Sequence, residues 1–134
     1  MIDACARTAR RVPAAAWAAL AAAPWLDPAA LARSAAHLAE ADAAVDWAAE
    51  SEWAQVTRSG DALVYAPLAP RAVRLRVLER VIAALGAAAP RGAELARWHD
   101  ALDAGGVATL AGIRGEGRGD TWRFTRTAPH RKGA

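Results

Sequence analysis

From Asp27 onward the apolar positions recur at helical spacing. Asp27 can cap a helix and Pro28 suits a first helical turn. Leu31, Leu38 and Val45 follow at seven-residue intervals, with Ala35, Ala41 and Ala48 on or near the same face. The pattern runs to Trp53 and predicts a helix of roughly 26 residues, or ~39 Å. Glu40, Asp46 and Glu50 fall on the opposite face, so the narrow apolar seam is expected to pack along another element.

After Gln55 the period changes to two. Val56, Arg58, Leu63 and Tyr65 flank Ser59-Gly60-Asp61, which reads as a hairpin about a glycine turn. Pro67 and Pro70 end it, and Pro70 opens a helix whose stripe is Leu75, Leu78, Ile82 and Leu85, widened by Val77 and Val81 and stopped by Gly86. A third helix begins at Pro90, carries Leu95, Trp98 and Leu102, and breaks at Gly105-Gly106. Two strands follow, Val107 to Arg114 and Thr121 to Thr127, with Gly115, Gly117 and Gly119 assigned to the turn between them. The expected fold is α+β and mainly helical, with one long N-terminal helix, two further helices and short antiparallel strand pairs. Four segments are expected: residues 1–22, a helical stretch; 23–54, the long helix; 55–129, an α+β domain; and 130–134, a frayed tail.

Composition changes this picture in two places. Hydrophobic residues make up 54% of the chain, but much of that is alanine. The six tryptophans, Trp17, Trp25, Trp47, Trp53, Trp98 and Trp122, are therefore expected to supply much of the burial. A single cysteine, Cys5, forms no internal disulfide, which suits a reducing compartment such as the cytoplasm. Arg7, Arg10 and Arg11 before an alanine-rich run have the outline of a secretory leader, yet alanine inserts weakly into membranes and a short helix is expected instead. No apolar run approaches the ~20 residues of a membrane span.

Charge is the second place. The overall +3 conceals an asymmetry: residues 1–70 carry five arginines against eight acids, and residues 71–134 carry eleven arginines and one lysine against six acids. The halves are thus −3 and +6, and the second is expected to meet an anionic partner, with nucleic acid the leading class. Two of its helices begin Pro-Arg, with Arg71, Arg74 and Arg91 near helix starts where cations oppose the macrodipole. A phosphate resting on the free amides would reverse that sign, so these three are candidate phosphate ligands, unless they bend away into water. Arg76 and Arg80, flanking Glu79, read as a second nucleic-acid backbone contact or, more commonly, as a solvated face. Arg123 alternates with Trp122 and Phe124 and should point outward, near Arg114, Arg118 and Arg126. Arg114, Arg123 and Arg126 complete the candidate set. Trp122 is expected to pack on the helices in preference to stacking on a base.

Sites of other kinds are not written here. His37, His99 and His130 share no metal-ligand spacing with each other or with Cys5. No Gly-x-Ser-x-Gly elbow occurs. The glycines of Gly115-Glu-Gly-Arg-Gly precede a strand and not the helix a nucleotide loop must open.

One resemblance rests on longer runs. These are Pro67-Leu-Ala-Pro-Arg-Ala-Val-Arg-Leu-Arg-Val-Leu-Glu-Arg80, Pro90-Arg-Gly-Ala-Glu-Leu-Ala-Arg-Trp98, Ala108-Thr-Leu-Ala-Gly-Ile-Arg114 and Thr121-Trp-Arg-Phe-Thr-Arg126. Their order resembles the region after the catalytic domain of tRNA(Ile)-lysidine synthases. Ala23-Pro-Trp-Leu-Asp-Pro28 and Leu38 to Trp47 are similar to that family's linking helix, so the resemblance covers residues 23 to 129. Family members often carry a second glycine where Ala111 stands. The family's Ser-Gly-Gly-x-Asp-Ser ATP loop is missing from this chain.

The resemblance implies a tRNA-binding, substrate-positioning portion of a ligase that uses ATP and lysine to convert a wobble cytidine to lysidine. It transfers no catalytic residue to this chain, and it assigns ATP and Mg to a domain not present here. Two other readings stay open. One is a helical interaction module, dimerising through the Leu31/Leu38/Val45 seam; the other is a fragment that complements a separately encoded ATPase half.

Overall fold

In the computed structural model, which describes residues 14–22, 25 and 27–128, the long helix starts where Asp27-Pro28 places it. The Ala29 N–H donates to Asp27 Oδ1 at 3.0 Å, one orphan amide of the first turn satisfied. The chain divides into two units, Met1–Glu40 and Ala41–Ala134. The first holds helix α1 (Ala14–Ala21) and the opening turns of α2 (Pro28–Trp53), where Leu38 is 72% exposed. The unit boundary therefore falls inside the predicted long helix. Cys5, Arg7, Arg10, Arg11 and the tail 130–134 lie outside the described residues.

The second unit contains the last turns of α2, then β1 (Thr57–Ser59), β2 (Ala62–Tyr65), α3 (Arg71–Ala84), α4 (Gly92–Asp103), β3 (Val107–Leu110), β4 (Ile113–Arg118) and β5 (Thr121–Arg126). The strands form one antiparallel sheet in the order β1-β2-β5-β4-β3. The separate strand pairs expected from sequence are thus joined, because β5 pairs with both β2 and β4. Its Leu63↔Phe124 and Tyr65↔Trp122 partners put the large apolar side chains on one face. These residues share a core with Val77, Leu78, Val81 and Ile82 of α3, Leu95, Trp98 and Leu102 of α4, and Ala49 of α2. The predicted stripe of α3 is the buried one, with Val73 added and Leu75 at its margin. Gly86, at φ 78°, ends that helix.

The expectation for the final strands needs correction. The segment 107–114 is not one strand but a two-residue hairpin, with Leu110 paired to Ile113 across Ala111 and Gly112. Both loop residues have positive φ, 51° and 74°, as a type I′ turn requires. Alanine hid that turn, because it lacks the signature of a left-handed residue. Gly115 and Gly117 are strand residues, and only Gly119 belongs to the turn. They are glycines because α4 crosses them closely. A Cβ on Gly117 would lie 2.1 Å from the Leu102 carbonyl oxygen, and one on Gly115 would lie 2.9 Å from Leu102 Cδ2. The Gly117 N–H donates to Gly106 O at 2.9 Å, fixing the strand against the end of the helix.

The tryptophans divide likewise. Trp98 and Trp122 are buried and Trp53 packs at the core's margin, but Trp25 and Trp47 are exposed, Trp47 by 74%. Burial instead draws on Tyr65, Phe124 and the aliphatic residues of α3. Glu52 is the buried charge that completes this core. Its Oε1 accepts from Tyr65 Oη at 2.8 Å and from the Leu68 and Ala69 amides at 2.8 and 3.0 Å. Burial alone would raise its pKa, but the two amides, the Tyr65 hydroxyl and the Arg74 charge together hold it below the usual carboxylate value. The same burial and the Glu52 bond push the Tyr65 phenol far up. Glu52 thereby ties the end of α2 to the loop that enters α3.

Candidate nucleic-acid interface

The six candidate arginines fall into four places. Arg71 and Arg74, in the first turn of α3, reach acids of α4: Arg71 meets Asp100 at 3.2 Å and Arg74 meets Asp103 at 3.1 Å. Arg74 Nε also donates to the Ala69 carbonyl. Buried His99 contributes its Nδ1 to Asp100 at 2.8 Å, and that bond, followed by Arg71, lowers the Asp100 pKa. Carboxylates of this chain thus stand at the helix start where an external anion was expected.

Arg91 is the N-cap of α4, and its amide donates to Glu94 Oε2 at 3.3 Å. An acid in the first turn offsets the unfavourable cation there. Arg126 stands at the end of β5, opposite Ile113, beside a shallow cleft bounded by Ala87, Gly112 and Thr127.

Arg114 and Arg123 come together on the face of the sheet opposite the core. Along β4 the residues alternate strictly: Ile113, Gly115 and Gly117 are buried, while Arg114, Glu116 and Arg118 face outward. Arg123 of β5 is the register partner of Glu116. Glu116 bonds both of its strand neighbours, Arg114 at 3.0 Å and Arg118 at 2.8 Å. Arg123 forms no ion pair among the described residues, and Thr109, Thr121 and Thr125 occupy register positions beside these arginines. Two guanidinium groups therefore hold one carboxylate on this strand surface, and a third arginine stands in register across from it. They are fixed by register rather than by loops.

Part of the charge elsewhere is neutralised. Arg76 bonds Asp42 and Asp46 of α2, and Arg80 bonds Glu50 at 3.3 Å. The face predicted to be solvated is a stitched contact between α2 and α3. The acidic first half and basic second half of the sequence therefore partly cancel in space. Among the described arginines without an ion pair, Arg58, Arg123 and Arg126 lie on strands, and Arg91 and Arg97 belong to α4 and its N-cap. Trp122 and Phe124 point to the core, with Trp122 edge-on to Tyr65 at 5.7 Å, so neither presents a ring for stacking. Such a surface can contact sugar-phosphate chains through guanidinium groups and hydroxyls.

Sequence reasoning missed Glu116 as the centre of this group. Reading Gly115 and Gly117 as turn residues concealed the period-two run Arg114-x-Glu116-x-Arg118, which was the available signal. Among the described residues no three His, Cys, Asp or Glu side chains gather to hold a metal, and no helix is long and apolar enough to cross a membrane.

Two relatives place these features in context. The chain is 49% identical over 106 residues to the tRNA(Ile)-lysidine synthase of Novosphingobium aromaticivorans, covering 78% of this chain and 32% of that protein. It is 31% identical over 116 residues to the tRNA(Ile)-lysidine synthase of Zymomonas mobilis, covering 84% of this chain and 35% of that one. The chain thus spans about a third of the length of the curated relatives it matches. No protein-family model matches it, and no solved structure matches it.

Proposed function

We propose, from the premise that this chain is homologous to part of the tRNA(Ile)-lysidine synthases, that it is the portion which holds the tRNA while chemistry is done elsewhere. The supporting observation is the basic sheet face of Arg114, Arg118 and Arg123, in a chain whose relatives are named for acting on tRNA(Ile). The portion corresponds to the region after the catalytic domain, and lysidine formation from ATP and lysine belongs to the remaining two-thirds. ATP and Mg bind there and not here. The working place is the cytoplasm.

Binding of this kind is dominated by counterion release and weakens steeply with salt. Filter binding of a tRNA(Ile) transcript to the full chain, across a salt series, tests it. Affinity at low salt that falls linearly on a log–log plot is expected. No affinity, or affinity indifferent to salt, rejects the reading.

A second reading has its own observation. Leu31 and Leu38 of the predicted seam are exposed in the opening turns of α2, as an interaction module or a fragment that docks on a separate ATPase half would present them, whereas Val45, the third member, packs against the core. Light scattering of the isolated chain distinguishes a dimer from a monomer, and a monomer that binds tRNA favours the first reading.

A further inference from the structure

The sheet's open face carries a sharper consequence, which rests on the tRNA-holding reading. We infer that Arg114, Arg118 and Arg123 form a sequence-indifferent seat for an RNA sugar-phosphate backbone, and that Glu116 competes with the phosphates for the guanidinium groups of Arg114 and Arg118. Arg114 and Arg118 are four residues apart on one strand, ~13 Å at the usual strand rise, with Glu116 midway between them. Arg123 comes from the neighbouring strand, in register with Glu116. Glu116 binds Arg114 through Oε1 and Arg118 through Oε2, so each carboxylate oxygen is engaged by one guanidinium. A phosphate that takes either arginine must displace that oxygen or share the cation with it.

The composition of the face selects the partner class. Protein interfaces have an apolar, aromatic-rich centre, whereas this surface offers arginine, threonine, one carboxylate and two valines, the half-exposed Val107 and the partly buried Val64 in register with Arg123. Nucleic-acid interfaces are more polar and more positive. Base readout from single strands needs stacking rings, and both aromatics of β5 turn to the core. Contacts to phosphates and 2′-hydroxyls remain, and these carry little sequence information.

The test uses the full chain with two probes, a tRNA(Ile) transcript and an RNA duplex of unrelated sequence. Arg114→Gln, Arg118→Gln and Arg123→Gln combined should weaken both probes similarly and lower the salt slope by about 3, one per lost phosphate contact. Glu116→Gln should tighten both by about two- to fivefold, the scale of a surface ion pair. Asp61→Asn, an equal charge change on the β1–β2 loop, should do so by less.

If the wild-type chain binds the transcript and the triple variant binds it equally, this seat is wrong while the tRNA-holding reading survives. If the wild-type chain binds neither probe, both fall. Glu116→Gln binding no tighter than Asp61→Asn removes the competition. Polyglutamate displacing RNA at equal charge concentration would assign the face to acidic protein instead. Should the triple variant melt early, the single Arg123→Gln, at an exposed side chain without an ion pair, decides by whether it weakens both probes.

Discussion

Strand β4 carries two surfaces in six residues, and they obey different rules. Its core side, Ile113, Gly115 and Gly117, is determined by distance: a Cβ on Gly117 would strike the backbone of α4, and one on Gly115 would crowd the Leu102 side chain. Its open side, Arg114, Glu116 and Arg118, is determined by charge. The contrast separates what the fold needs from what a partner would need. Substitution on the first face should be read in stability, and on the second in binding.

The largest effect expected is at the closest approach. Gly117→Ala should destabilise by on the order of 3 kcal/mol, because the new Cβ meets the backbone carbonyl of Leu102 and not a side chain that can turn aside. Urea denaturation measures it; an unchanged midpoint would mean that α4 is free to shift. Glu52→Ala comes next, at about 3 kcal/mol or somewhat less, since it leaves the Tyr65 hydroxyl and two loop amides without their acceptor.

Glu52 also predicts a pH dependence. Its folded pKa is depressed, so on acidification the unfolded chain takes up the proton first. The stabilisation is whole above the ordinary glutamate value and is lost as the pH falls through the lower folded one. Glu52→Gln should flatten that acid limb in pH-dependent melts.

Smaller and opposite in sign, Ala111→Gly should stabilise by about 0.5–1 kcal/mol, because relief of the left-handed strain outweighs the added freedom of the unfolded chain. A fall in melting temperature would contradict the turn assignment. Smallest of all, Arg118→Gln should leave stability within about 0.5 kcal/mol while reducing tRNA affinity at low salt. A large loss of stability there would blur the distinction between the faces.

Most of the helical frame was legible because its causes are local. Asp27-Pro28 starts α2, the Val77/Leu78/Val81/Ile82 stripe buries α3, and Gly86 stops it, each within a turn or two of the residues responsible. The strand order was not legible. It depends on Leu63 meeting Phe124 and Phe124 meeting Gly115, partners that no local period connects. The same reason hid the site's electrostatics. Arg71–Asp100 and Arg74–Asp103 join residues 29 apart in sequence, so cations that looked unmatched in one dimension are matched in three. Glycine was misleading for a related cause. A residue that tolerates turns also permits close packing, and only the position of α4 tells which use applies.

The hydrogen bond from Gly117 to Gly106 has an evolutionary corollary. With side chains alternating between the two surfaces, deleting one residue from β4 would reverse them, driving guanidinium groups toward Leu102 and turning the glycines to water. Residues on the outward side of this strand can therefore be exchanged, but gains or losses of length should be confined to the turns at Ala111-Gly112 and Gly119-Asp120.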